Sequence, residues 1–102
     1  MKVIINNKKI ELILAKSFFQ RLKGLMFQKN INYCLRIKTN SIHTIFMKEN
    51  IDIIMTDKNN NVLYIFKNVP KNKIIIKKNI YYTYEFPNNF IDKNIKKIKI
   101  QN

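Results

Sequence analysis

Residues 40–57 read NSIHTIFMKENIDIIMTD, and this stretch decides the fold. Its second half alternates: Ile51, Ile53 and Met55 fall on one side, Asp52, Ile54 and Thr56 on the other. Period-two spacing of β-branched residues marks a strand. Upstream, Ile42 to Met47 reads as extended chain and Lys48-Glu49-Asn50 as a turn. Downstream, Asp57-Lys58-Asn59-Asn60-Asn61 is a hairpin turn, and Val62 to Val69 is a second strand. Pro70 ends it, since proline cannot donate to a strand ladder. Asp52, an acid inside apolar material, needs a partner, because a bare buried charge is too costly. The expected donors are Arg21, whose planar guanidinium suits a carboxylate, or backbone amides near His43.

Moving outward, Lys2 to Asn6 and Lys9 to Leu14 read as strands around an Asn6-Asn7-Lys8 turn. Ser17 and Gln20 match a capping box, and Phe18, Phe19, Leu22, Leu25 and Met26 fall at helical spacing. A short α-helix over about 17–24 is expected, closed by Gly24. Tyr33 to Lys38, Lys73 to Lys77, Ile80 to Phe86 and Ile95 to Ile100 read as further strands, with a short helical turn between Pro87 and Asn94. The fold class is mainly β, a small sandwich or barrel in a single domain spanning 1–102.

Composition narrows the function. The 102 residues are 46% hydrophobic, enough for one core, so wholesale disorder is not expected. Apolar runs are too short for a membrane span or a secretory signal core, and a cytoplasmic location is expected. One cysteine, Cys34, bars an internal disulfide, and with one histidine a four-ligand zinc site is not expected. No cofactor is expected. A single glycine cannot build a phosphate loop, a dinucleotide fingerprint or a nucleophile elbow. A Cys34/His43/Asp52 triad has composition in its favour and nothing else. The net charge of +14 favours polyanions such as nucleic acid. The lysines are scattered, however, and lysine, asparagine and isoleucine are all overused, as in AT-rich coding. Turns must rely on asparagine, which tolerates left-handed backbone. Gly24 should then sit where asparagine fails, at positive φ or under a close approach.

Four segments together resemble the domain of unknown function 192 family of small bacterial and archaeal proteins. They are Arg21 to Met26 (RLKGLM), Ile42 to Met47 (IHTIFM), Ile51-Asp52, and Glu85-Phe86-Pro87-Asn88-Asn89. They occur in the family's order across most of the chain. Asn89 stands where the family has a late glycine, and Lys96-Lys97 replaces a Gly-Asp pair. The resemblance implies a compact sandwich of jelly-roll type and no established activity, cofactor or partner.

Three functions compete. The first is a non-catalytic module binding a small ligand or protein partner through His43, Thr44, Asp52, Arg21 and Glu85, framed by Ser17, Gln20 and Gly24. The second is a nucleic-acid binder working through Lys67 to Lys78 and Lys93 to Lys99, with Tyr81, Tyr82 and Tyr84 stacking bases. The third is an enzyme using His43 as acid/base, oriented by Asp52. Each residue also has a bland role open to it: a backbone-bonded histidine, a locked aspartate, core tyrosines. The binding module is the reading carried forward, because one histidine without glycine-built loops is a thin catalytic toolkit.

Overall fold

A computed structural model describes residues 1–17, 24–26, 28–92 and 94–102. Nine strands are named in chain order: β1 Lys2–Ile5, β2 Lys8–Leu14, β3 Tyr33–Ile37, β4 Ser41–His43, β5 Ile51–Thr56, β6 Val62–Val69, β7 Ile74–Ile76, β8 Tyr82–Pro87 and β9 Lys99–Gln101. Seven form one sheet in the order β6-β5-β8-β3-β2-β1-β9, and β4 pairs with β7 in a second, two-stranded sheet. The large sheet curls until Asn61, at the start of β6, bridges Lys97, just before β9. The result is a half-barrel with a small sheet beside it.

This corrects the jelly-roll expectation. A jelly roll packs two antiparallel sheets of similar size, whereas here one sheet dominates and β2 runs parallel to β3. Parallel neighbours need a long crossover, and residues 15–32 supply it. The helix expected over about 17–24, with Gln20 and Arg21, falls largely at residues 18–23, outside the described residues. Among the described residues there is no helix. Ser17 is an exposed bend, and the stretch after Pro87 is a turn closed by the Phe90 amide on the Pro87 carbonyl at 3.2 Å.

The sheet's two faces carry two cores. On one, Val3, Ile5, Leu12, Cys34, Ile54, Tyr84 and Phe86 are covered by Ile91, Ile95 and Ile98 from the C-terminal segment. On the other, Leu35, Ile51, Ile53 and Met55 meet Ala15, Leu25, Ile31 and Met47, with Ile42 and Ile75 of the small sheet alongside. β5 lies between β6 and β8, and all six of its residues are buried. Burying each large apolar side chain there stabilises the fold by roughly 1.5–3 kcal/mol.

Asparagine does the work of glycine at the turns. Asn6, Asn7, Asn30, Asn60, Asn68, Asn72, Asn79 and Asn89 all have positive φ. Ile5 pairs with Lys8, so Asn6-Asn7 is a two-residue hairpin loop of the kind that needs two left-handed residues. Asn89 keeps the left-handed backbone at the position where a family glycine was expected, with φ 64°.

Asp52 is completely buried. One carboxylate oxygen accepts the Asn68 amide at 2.8 Å and the other accepts the Ile91 amide at 3.1 Å. The need for a partner is met, but the partners differ from those expected. Ile51 pairs with Val69 and Ile53 with Phe66, so Lys67 and Asn68 together oppose Asp52 in a bulge. The carboxylate satisfies an amide that the bulge releases, and it ties β6 to the turn after β8. Asp52→Asn is expected to lower stability by roughly 1–3 kcal/mol, because its amide NH2 would face one backbone donor with another. An unshifted urea midpoint would show that neither bond matters.

Candidate functional site

Gly24 and Leu25, Met47, Ile51 and Glu85, one or two residues from each family-like segment, meet on the second-core side of the large sheet. Glu85 of β8 pairs with Leu35 on one side and Ile53 on the other, so its side chain enters the second core. It is 1% exposed. Its carboxyl meets Gly24, whose φ is +54°. A Cβ built there would lie 2.8 Å from Oε1 and 3.3 Å from Oε2. The Leu25 amide donates to the carboxyl. Oε1 has no hydrogen-bond partner among the described residues. Burial pushes the Glu85 carboxyl up to about 8, against the smaller opposing effect of the Leu25 bond. At neutral pH it is mostly a neutral acid. Its charged form in turn adds to the rise that burial imposes on Tyr33 and Cys34.

The IHTIFM segment frames the small sheet. Thr44 is buried, and its hydroxyl donates to the Pro70 carbonyl at 2.7 Å and accepts the Lys73 amide at 2.8 Å. This hydroxyl ties the loop after β4 to the loop before β7. The Met47 amide donates to the Thr44 carbonyl, closing a turn over Ile45-Phe46. Phe46 sits in that turn at φ 64° and is 59% exposed. A bulky residue held left-handed costs on the order of 1–2 kcal/mol. Burial of Met47 in the second core and the anchored Thr44 on either side hold it there.

His43 pairs with Ile74, and Ser41 with Ile76. Paired residues share a face, so His43, Ile74 and Ile76 lie together on one side of the small sheet, while Ile42 and Ile75 face the core. Ile74 and Ile76 are 69% and 65% exposed, the two most exposed large hydrophobics among the described residues. The His43 Nδ1 accepts the Ile45 amide at 3.2 Å, which leaves Nε2 as the donor of the neutral ring.

The sequence-selected residues therefore divide. His43 and Thr44 belong to the small sheet and its loop. Glu85 sits beneath Gly24, and Asp52 is on the opposite face of the large sheet. Arg21 lies outside the described residues. Cys34, His43 and Asp52 form no triad: Cys34 and Asp52 are buried within strands, and His43 is on the small sheet. Among the described residues no three His, Cys, Asp or Glu side chains gather in a way that could hold a metal ion. Ile74 and Ile76 were passed over in the sequence, where they look like ordinary strand residues. The signal available was the III run of Ile74 to Ile76, apolar on both faces of a strand flanked by lysines.

The tyrosines considered for base stacking are already engaged. Tyr84 is buried; Arg36 lies 4.3 Å from the centre of the Tyr82 ring, and Lys38 lies 4.6 Å from that of Tyr81. Among the described residues no helix is long and apolar enough to cross a membrane.

A family model, domain of unknown function 192 (Uncharacterized ACR), matches residues 1–99. No curated protein gives a significant match. Among solved structures, a protein of unknown function from Novosphingobium aromaticivorans DSM 12444 is similar over 97% of this chain and 82% of its own, with TM-score 0.79 and 16% identity. A proposed transcription regulator from Sinorhizobium meliloti 1021 is similar over 85% of this chain and 78% of its own, with TM-score 0.72 and 15% identity. At these identities the likeness is one of fold.

Proposed function

The chain belongs to the domain of unknown function 192 family, and from the surface that this member presents we propose that it is a non-catalytic module binding a protein partner. The observation that carries the reading is the outer side of the β4–β7 sheet, where Ile74 and Ile76 stand exposed beside His43. Exposed apolar side chains grouped on one rigid face, with a polar group among them, suit a protein contact. Phe46, exposed on the strained turn that follows β4, is a further apolar side chain open to such a partner. In this reading Thr44, Asp52 and Glu85 hold the frame. Thr44 locks the loop, Asp52 locks the β6 bulge, and the enclosed Glu85 carboxyl joins Gly24 to β8. The engagement of Tyr81 and Tyr82 with the chain's own cations favours a protein over a single-stranded nucleic acid.

The test begins with partners enriched on the immobilised full chain, followed by reconstitution with each purified candidate. Ile74→Asp with Ile76→Asp is expected to weaken binding by about tenfold or more while leaving the thermal midpoint nearly unchanged, since both side chains are largely in solvent. Undiminished binding by the double variant would remove this face from the reading.

A further inference from the structure

β6 and β7 are consecutive strands joined by a tight connection through Pro70 and Asn72, yet they do not pair. β6 is an edge of the large sheet, and β7 pairs with β4 instead. The two strands diverge, and the space between them is an open groove of about 430 Å3 lined by residues 65–70 and 73–75. Its apolar floor includes Phe66, Val69 and Ile75, and Ile74 stands at its border with the proposed partner face. Lys67 and Lys73 line it, and among the described residues that line it none is acidic. Lys77 extends the basic side, with its ammonium 5.1 Å from the centre of the Tyr64 ring.

We infer that this groove takes an extended acidic segment of the partner, carrying an apolar side chain that seats against Phe66 and Ile74. The inference rests on the proposed reading and names the chemistry of the partner. Extended chain fits because the groove is bounded by β6, the edge of the large sheet, on one side and β7 on the other. Acidic character fits because the groove carries lysines and no carboxylate of its own. The bulges at Leu63 and at Lys67–Asn68 leave only Tyr64 to Phe66 in unbroken register with β5. A second copy of the same edge strand therefore finds little straight backbone to pair with, and side-chain chemistry carries the recognition.

The test uses the full chain and three fluorescent peptides: an acidic one with a central leucine, the same sequence with lysine for each acid, and an acidic one with serine for leucine. Anisotropy titration should show saturable binding of the first alone, weakening as salt rises. Lys67→Glu with Lys73→Glu should weaken it about tenfold or more, and Ile74→Asp should do the same. All three positions are exposed, so the variants should fold, which circular dichroism checks. Failure of the acidic peptide, with the purified partner still lost on Ile74→Asp and Ile76→Asp, would overturn the acidic groove and leave the partner face standing. Equal binding of all three peptides, or displacement of the acidic peptide by single-stranded RNA at lower concentration, would likewise overturn it. Loss of neither peptide nor partner in any variant would overturn both readings. Self-association abolished by the same substitutions would replace the acidic segment with a second copy of the chain.

Discussion

Stability is expected to fall as pH rises from about 4.5 to about 8, and Glu85→Gln is expected to remove most of that fall. In the unfolded chain Glu85 ionises near its ordinary value of 4.5; in the folded chain burial holds the proton on until about 8. Between those values the native state binds more protons than the unfolded state, so raising the pH favours unfolding. The stabilisation is fully present below the lower value and is gone above the upper one. At about 1.4 kcal/mol per pH decade, the swing attributable to Glu85 is on the order of 4–5 kcal/mol, an upper bound for a group whose surroundings relax on ionisation. That is a large share of the stability of a domain this size. Other groups titrate over the same range, so the measured quantity is the difference between wild type and variant. Urea midpoints of the two proteins should lie close together near pH 5, separate steadily up to about pH 8 and level off above it, with Glu85→Gln the more stable. Glutamine keeps the shape and an acceptor for the Leu25 amide without the buried charge. Parallel curves across the range would mean that the Glu85 carboxyl titrates like an ordinary surface acid.

Glu85 also shows where sequence reading stops. Most strands and turns were legible because their causes are local; the strand expected over Ile95 to Ile100 is an exception, since β9 runs only Lys99–Gln101 while Ile95 and Ile98 cover the core. The alternation of Ile51 to Thr56 gave a buried strand, and the Asn-rich junctions gave turns that do adopt left-handed backbone. The need of Asp52 for a buried partner followed from desolvation alone. The identity of that partner did not, because the amides of Asn68 and Ile91 become available through a bulge and a turn that only strand pairing creates. The parallel β2–β3 pair was illegible for the same reason: nothing in either strand records its direction relative to the other. By its sequence Ile42 to Met47 reads as one extended run, whereas the strand stops at His43. The turn over Ile45-Phe46 has no glycine, asparagine or proline to announce it, and contacts made elsewhere by Thr44 and Met47 impose it. For the candidate surface, the sequence offered His43 and Thr44 but not Ile74 and Ile76, whose exposure depends on which side of β7 the core lies.

The largest single-site loss is expected from Gly24, and the pattern across two substitutions distinguishes its causes. Alanine at φ +54° carries backbone strain of about 1 kcal/mol, and its Cβ would meet Glu85 Oε1 at 2.8 Å. That oxygen ends a side chain that could swing aside at the surface, but Glu85 is enclosed between Leu35 and Ile53 and has little space to move into. Overpacking of this kind adds roughly 1–3 kcal/mol, so Gly24→Ala should cost about 2–4 kcal/mol in all. Asparagine isolates the second cause. This chain uses asparagine at its other left-handed positions among the described residues, Phe46 excepted, so Gly24→Asn should largely relieve the backbone strain. It still brings a Cβ, and with it the collision. Gly24→Asn should therefore remain destabilising by more than 1 kcal/mol, recovering no more than the strain component. In a Glu85→Ala background the collision disappears, and both substitutions should become milder, alanine retaining only its strain and asparagine almost nothing. Coupling of this kind between contacting residues is expected at about 1–2 kcal/mol in a double-mutant cycle read by urea denaturation. If Gly24→Asn is as stable as wild type, positive φ alone accounts for the glycine and the contact with Glu85 is slack. If the cycle shows no coupling, the carboxyl does not press on Gly24, and the joint between the RLKGLM segment and β8 is made elsewhere.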